Sequence, residues 1–276
     1  MTTTSIESRE NLKLTLFMVP VAAVLAAFWL LPMARLVLVS GEKGFATYIE
    51  VLTAPRYLAS LVITVALAAL ATVVTLAISV ASGLFLVRNR FPGRDTLIAV
   101  LTLPLAFPGV VIGFMIIMLA GRQGLIGSVT QALFGSKLVF AYSFAGLFVG
   151  YLYFSIPRVI LTVMAAAEKL DLQLEEAARS LGAGRWRVIL DVILPGLLPA
   201  LISSGAICFA TSMGAFGTAF TLNAGIDVMP MLIYNEFTLN ANIAVAAALS
   251  VVLGLITWVA LVVARMTAGA GVAAAA

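Results

Sequence analysis

The chain has 276 residues, of which 63% are hydrophobic and 10% charged, with a net charge of +4. Charged residues alone reach about 25% in soluble domains, so this composition excludes a water-soluble fold. The absence of histidine and the single cysteine exclude an internal disulfide and the usual zinc clusters, and Cys208, in an apolar run, reads as a small buried hydrophobe.

A membrane crossing needs about 20 mainly apolar residues, and six such runs follow one another. Residues 1–13 are a polar tail holding Arg9 and Lys13. The run 14–38 is too long for a signal-peptide core and reads as a retained first span, with Arg35 near its far end, where a long side chain reaches the interface. Residues 40–57, with Gly41, Lys43, Gly44, Pro55 and Arg56, form a polar connection with room for one short helix. The second span, 58–87, is uncharged, and its small residues favour close helix packing.

The basic, turn-rich loop 88–95 reverses the chain. A third span, 96–120, contains Pro104, Pro108 and the pair Gly109 and Gly113, which predict a bent helix buried among others. The semi-polar stretch after 121–124, as far as Lys137, reads as an interfacial helix. The fourth span, 139–164, carries Tyr142, Tyr151 and Tyr153, with Pro157 and Arg158 toward its end. After the charged interruption 165–195 come a fifth span, 196–220, a loop with Asp227, Pro230 and Glu236, a sixth span, 243–264, and a small-residue tail. The domain reading is therefore 1–57 for the tail, first span and outer loop, 58–264 for the transport domain and 265–276 for the tail.

The interruption is amphipathic. At 3.6 residues per turn, Leu170, Leu174, Ala177 and Leu181 share one side of a helix, and Glu168, Glu175, Glu176 and Arg179 lie elsewhere. Asp171 is an N-cap candidate and Gly182 sits where a helix closes with a left-handed residue. A second short helix then places Trp186, Ile189, Leu190 and Ile193 opposite Arg185, Arg187 and Asp191, and Pro195 ends it. The result is a compact knob of two short helices.

Glu176-Ala177-Ala178, three residues, Gly182, nine residues, then Val192-Ile193-Leu194-Pro195 resembles the EAA loop of permease subunits in binding-protein-dependent ABC importers of the type I, MetI-like fold. The departure is Val192, where the family usually has isoleucine. Further stretches, 203–217 and 229–234, look like the spermidine/putrescine, sulfate and iron branches, with the spermidine/putrescine branch favoured. The resemblance implies an all-α membrane protein of the bacterial inner membrane, with both ends cytoplasmic. It implies that two such permease subunits, identical or homologous, form the pathway. It also implies a dimer of ABC ATPases, and a periplasmic or lipid-anchored substrate-binding protein outside. Glu176, Ala177, Ala178, Arg179, Gly182, Leu194 and Pro195 would then form the ATPase-coupling contact, with Glu176 in a charged contact, the alanines permitting close approach and Gly182 setting the turn. No Gly-x-x-x-x-Gly-Lys-Ser/Thr sequence occurs, so ATP and magnesium belong to the partner ATPase and this chain carries no cofactor or catalytic residue.

Placing the N-terminus in the cytoplasm puts eleven of the sixteen Lys and Arg residues inside and five outside, which the positive-inside tendency favours and which brings the knob to the ATPase side. All twelve carboxylates map to loops or span ends, which counts against an ion-coupled secondary transporter. The same distribution leaves a membrane-embedded enzyme without an acid–base pair. Thr211, Ser212, Met213 and Phe216 are candidates for the translocation path, since a polar patch on an apolar helix suits a wet cavity; helix–helix hydrogen bonding is the alternative. A polyamine is the first-choice solute on resemblance, drawn by Glu50, Asp227 and Glu236 at the outer mouth. Sulfate, an aminophosphonate or ferric iron are the alternatives.

Overall fold

The computed structural model describes residues 18–42, 44–222 and 225–268, and the sequence readings on Arg9, Lys13, Lys43 and the tail beyond Ala268 lie outside them. Six described segments are long and apolar enough to cross a membrane, as the sequence predicts. In chain order the helices are α1 (Met18–Ser40), α2 (Ala46–Thr53), α3 (Pro55–Arg88), α4 (Arg94–Thr102), α5 (Gly109–Ala120), α6 (Leu125–Phe134), α7 (Phe144–Ala167), α8 (Leu172–Ser180), α9 (Arg185–Met213), α10 (Phe216–Leu222), α11 (Met229–Thr238) and α12 (Ile243–Ala268).

Three spans are bounded differently from the sequence reading, each for a backbone reason. The third span is not one bent helix over 96–120. The short 3₁₀ turn Leu103–Ala106 leads to extended Phe107 and Pro108, because proline drives its predecessor out of the helical region, and the membrane-length segment is Gly109–Phe134. The fourth span starts at Phe144. Before it, the N–H groups of Phe140 and Ala141 both donate to the carbonyl of Ala120, 3.1 Å each.

The fifth span neither starts at 196 nor reaches 220. Pro195 does not stop the helix, because a π-helical turn at Ile189–Ile193, in which Leu194 N–H donates to Ile189 O, widens the backbone just ahead of the ring. The same device stands in α1, where the π turn Ala26–Leu30 precedes Pro32. α9 ends instead at Met213, where Gly214 caps it, and α10 is separate. The predicted loop around Pro230 and Glu236 is largely the helix α11.

The chain forms two compact units: the described residues up to Ala54 with Ile233–Val252, and Pro55–Leu232 with the residues from Leu253 onward. In the first unit, the hydroxyls of Ser40 and Tyr48 lie 2.5 Å apart and tie the end of α1 to α2. In the second, α3 packs along α7 and α9, while α10 packs on α5. Burial of apolar side chains against lipid-like surroundings drives little, so close backbone approach carries these contacts. A Cβ on Gly83 of α3 would lie 2.9 Å from Val163 Cγ1 of α7, and one on Gly113 of α5 would lie 2.6 Å from Thr221 Cβ of α10. Gly109 and Gly113 are thus used within the chain, against α10, and Thr218 Oγ1 donates to Gly109 O at 3.1 Å. Cys208 is buried in the cluster that also holds Val163, Val188, Ile193, Leu197 and Leu201, directly beneath the knob.

Candidate functional site

The knob is α8, the turn after it, and the first turns of α9. Its local geometry follows the sequence signals. Asp171 is extended and its side chain accepts from Gln173 N–H at 2.9 Å, so it caps α8. At the other end Gly182 has φ +84, the left-handed closure that a Cβ resists, and Ala183 N–H donates to Ala178 O at 3.0 Å.

The apolar side of α8 that the periodicity picks out is not the side that faces inward. Leu174, Ala177 and Leu181 are exposed, Leu181 at 89%, and Trp186 at the start of α9 is 78% exposed. Inward face Glu175, whose side chain is only 4% exposed, and half-buried Ala178. The reason is distant in sequence. Arg88, the last residue of α3, presents its guanidinium to both carboxylate oxygens of Glu175: Nη1 donates to Oε2 at 2.6 Å and Nη2 donates to Oε1. The Arg88 side chain keeps 28% exposure, and Arg179, one turn further along α8, adds a guanidinium 3.9 Å from Glu175 Oε2. The hydrogen bonds from Arg88 outweigh burial and hold the Glu175 carboxyl below the usual carboxylate range, with the charges of Arg88 and Arg179 acting in the same direction.

The remaining predicted coupling residues fall around this pair. Glu176 is exposed beside Ala177, and Ser180 Oγ donates to its backbone carbonyl at 2.9 Å. Leu194 is half-buried against the core beneath the knob, and Pro195 is exposed on α9. Between α3, the turn and α9 runs a groove of about 640 Å³ with Leu84, Phe85, Val188 and Ile193 among its walls and Arg88 and Arg185 at its edge. The sequence reading passed over Glu175 in favour of Glu176. The available signal was the basic loop at the end of the second span, which supplies an arginine to any acid facing it.

The four path candidates separate. Ser212 and Met213 are fully buried within the chain. Thr211 is half-buried, and its hydroxyl donates back to Ile207 O and Cys208 O at 2.9 and 3.0 Å. Phe216 is half-buried, its ring 5.3 Å from that of Phe220. Of the acids weighed for a cationic solute, Asp227 lies 3.5 Å from Arg56, Glu236 is buried and Glu50 is exposed.

Residues 73–268 match the family described as the binding-protein-dependent transport system inner membrane component. The molybdenum transport system permease protein ModB of Escherichia coli (strain K12) is 38% identical over 64% of this chain and 76% of its own length. The sulfate transport system permease protein CysT of the same strain is 34% identical over 79% and 80%. The putative 2-aminoethylphosphonate transport system permease protein PhnU of Salmonella choleraesuis (strain SC-B67) is 30% identical over 88% of both chains. Among solved structures, a chain of a bacterial alginate ABC transporter in complex with an alginate pentasaccharide-bound periplasmic protein superposes with a TM-score of 0.79 at 16% identity. It covers 94% of this chain and 95% of that one, a likeness of fold. None of these relatives supports the polyamine expectation or the spermidine branch.

Proposed function

The chain belongs to the family of binding-protein-dependent transport system inner membrane components, and from that premise we propose that its solute is a tetrahedral oxyanion and that the α8 knob is gripped by an ATPase. It is a permease subunit of an ABC importer in the inner membrane.

The oxyanion rests on one observation. Three relatives at 30–38% identity serve sulfate, 2-aminoethylphosphonate and molybdenum, which in neutral water is itself a tetrahedral oxyanion. The state of the acids agrees, since Asp227 is already paired with an arginine and Glu236 is buried, which leaves exposed Glu50 alone of the three for a polyamine.

ATPase docking is supported by the inverted surface of the knob. Leu174, Ala177, Leu181 and Trp186 stand exposed among Glu176, Arg179 and Arg187, a mixture suited neither to lipid nor to water alone, and apolar patches rimmed by charge mark protein contacts. In this reading Glu176 meets the ATPase, Gly182 keeps the tip narrow, and ATP and magnesium sit in that partner. A second permease subunit completes the pathway, to which Thr211 and Phe216 present their exposed surface, and a binding protein delivers the solute from outside. Both termini lie in the cytoplasm.

The test is uptake by proteoliposomes holding this chain with its ATPase and binding protein. Sulfate, molybdate, 2-aminoethylphosphonate and spermidine are offered separately, with and without ATP inside and with ion gradients either imposed or collapsed. Accumulation of an oxyanion that depends on ATP is the expected result. Uptake of spermidine alone, or uptake that ignores ATP and follows an ion gradient, overturns it.

A further inference from the structure

Glu175 is the one carboxylate of α8 turned into the molecule, and it is held by a residue 87 positions away in sequence. α8 is tied covalently to α7 through 168–171 and to α9 through 181–184, but nothing covalent joins it to α3. A helix held only at its two ends is free to swing relative to a third body. The fork of Arg88 on both oxygens of Glu175 removes that freedom, because two parallel hydrogen bonds fix orientation as well as distance.

We propose that Glu175 and Arg88 form the transmission link of this permease, the contact through which displacement of the knob is passed to the second membrane-spanning helix. Both are positioning residues and neither touches solute or nucleotide; the proposal rests on the ATPase-driven reading above. Three observations carry it. The pair joins the first turn of the knob helix to the last residue of α3. The carboxylate is nearly fully enclosed, so water does not compete for its oxygens. Beyond Arg88 the motion has a close-packed continuation: Gly83, just over a turn back along α3, has no side chain of its own and so lets its backbone meet the Val163 side chain and the Ile160 carbonyl of α7. Arg94 fastens the same end of α3 from the other side, its Nε donating to Leu86 O at 2.6 Å. Exposed Glu176, the residue of the family signature, receives the push in this scheme, and buried Glu175 passes it on.

The experiment uses the complete transporter, permease with ATPase and binding protein in proteoliposomes. It measures ATP hydrolysed and solute imported in the same vesicles for E175Q, R88K, R88E, E175R and the exchanged pair R88E/E175R. The expected result is that the ATPase still co-purifies and basal hydrolysis persists. Solute imported per ATP falls about tenfold in the single charge reversals, within the range that coupling free energies span, and recovers in the exchanged pair. E175Q and R88K, which keep size while losing charge or the fork, fall by a smaller factor. Import per ATP at the unsubstituted level in E175Q and R88K overturns the link, as does an exchanged pair no better than either single reversal. Should the reversals fail to assemble, E175Q and R88K decide the matter alone. Failure of the unsubstituted transporter to import with ATP would instead remove the underlying reading, so the two failures are separable.

Discussion

The knob and the α5–α10 contact solve opposite problems with the same kinds of residue. Where α10 meets α5, glycines face inward, so the backbones touch, and Val110, Phe114 and Met118 are left exposed. In a bilayer that arrangement is complete, since an outward apolar side chain meets lipid and the contact is made by packing. In the knob a carboxylate faces inward and leucines face outward. In water that arrangement is unfinished, because the exposed apolar side chains have no solvent of their own kind. The comparison teaches that exposure has no fixed meaning along this chain: on a spanning helix an outward apolar side chain suits lipid, and on α8, where leucines stand among charges, it suits the docking proposed above.

Five substitutions break or sharpen that contrast. The largest expected effect is from Arg88→Ala, which takes both hydrogen bonds from an enclosed carboxylate and leaves it only Arg179 at 3.9 Å; it costs about 3 kcal/mol, the low end for breaking a buried pair, read as a fall in the thermal unfolding midpoint of the purified protein in detergent. The sign of its pH dependence follows from the lowered pKa of Glu175. The pair stabilises the fold above the unfolded carboxyl value of about 4.3, and that contribution is lost as pH falls through the lower folded value. Unfolding followed below about pH 4 should therefore show an acid loss that Glu175→Gln blunts.

Next is Gly113→Val. Its added carbons meet Thr221 at 2.6 Å, and overpacking of this kind costs about 2 kcal/mol in the same unfolding measurement. Gly182→Val, which must hold φ +84 with a β-branched side chain, costs about 1–2 kcal/mol. Its clearer readout is import lost while the subunit still inserts and ATP is still hydrolysed. The smallest effect on stability is from Leu181→Ser, within about 0.5 kcal/mol because the side chain touches nothing inside the chain. Reduced co-purification of the ATPase with unchanged unfolding is the outcome that sets this face apart from α5.

The parts of the knob readable in the sequence are those decided within a few residues. Asp171 caps and Gly182 closes because each acts on its own backbone. The inward face of α8 is not decided locally. Periodicity groups Leu174 and Leu181 on one side but does not say where that side points, and the partner of the inward carboxylate, Arg88, lies 87 positions away. The spans were legible for a similar reason, since their length and hydrophobicity are local sums, whereas their ends were not. Pro195 has the residue type of a helix stop, yet the π turn ahead of it lets the helix pass. Gly214 has a weaker signal and is where α9 ends. Gly109 and Gly113 were visible as a packing pair, but not their partner, since α10 is a separate helix only after that end.

The 34 residues of α3 measure about 51 Å at 1.5 Å per residue, against roughly 30 Å of hydrocarbon in a bilayer. About 20 Å of strut is therefore left over for the two aqueous margins. Each margin has its own fastening, Arg56 with Asp227 at one extremity and Arg88 with Glu175 at the other. The first is a half-exposed pair and the second an enclosed fork, and between them α3 runs without a break. Under the transmission proposed above, a displacement at Glu175 would travel along this rod instead of being taken up within it.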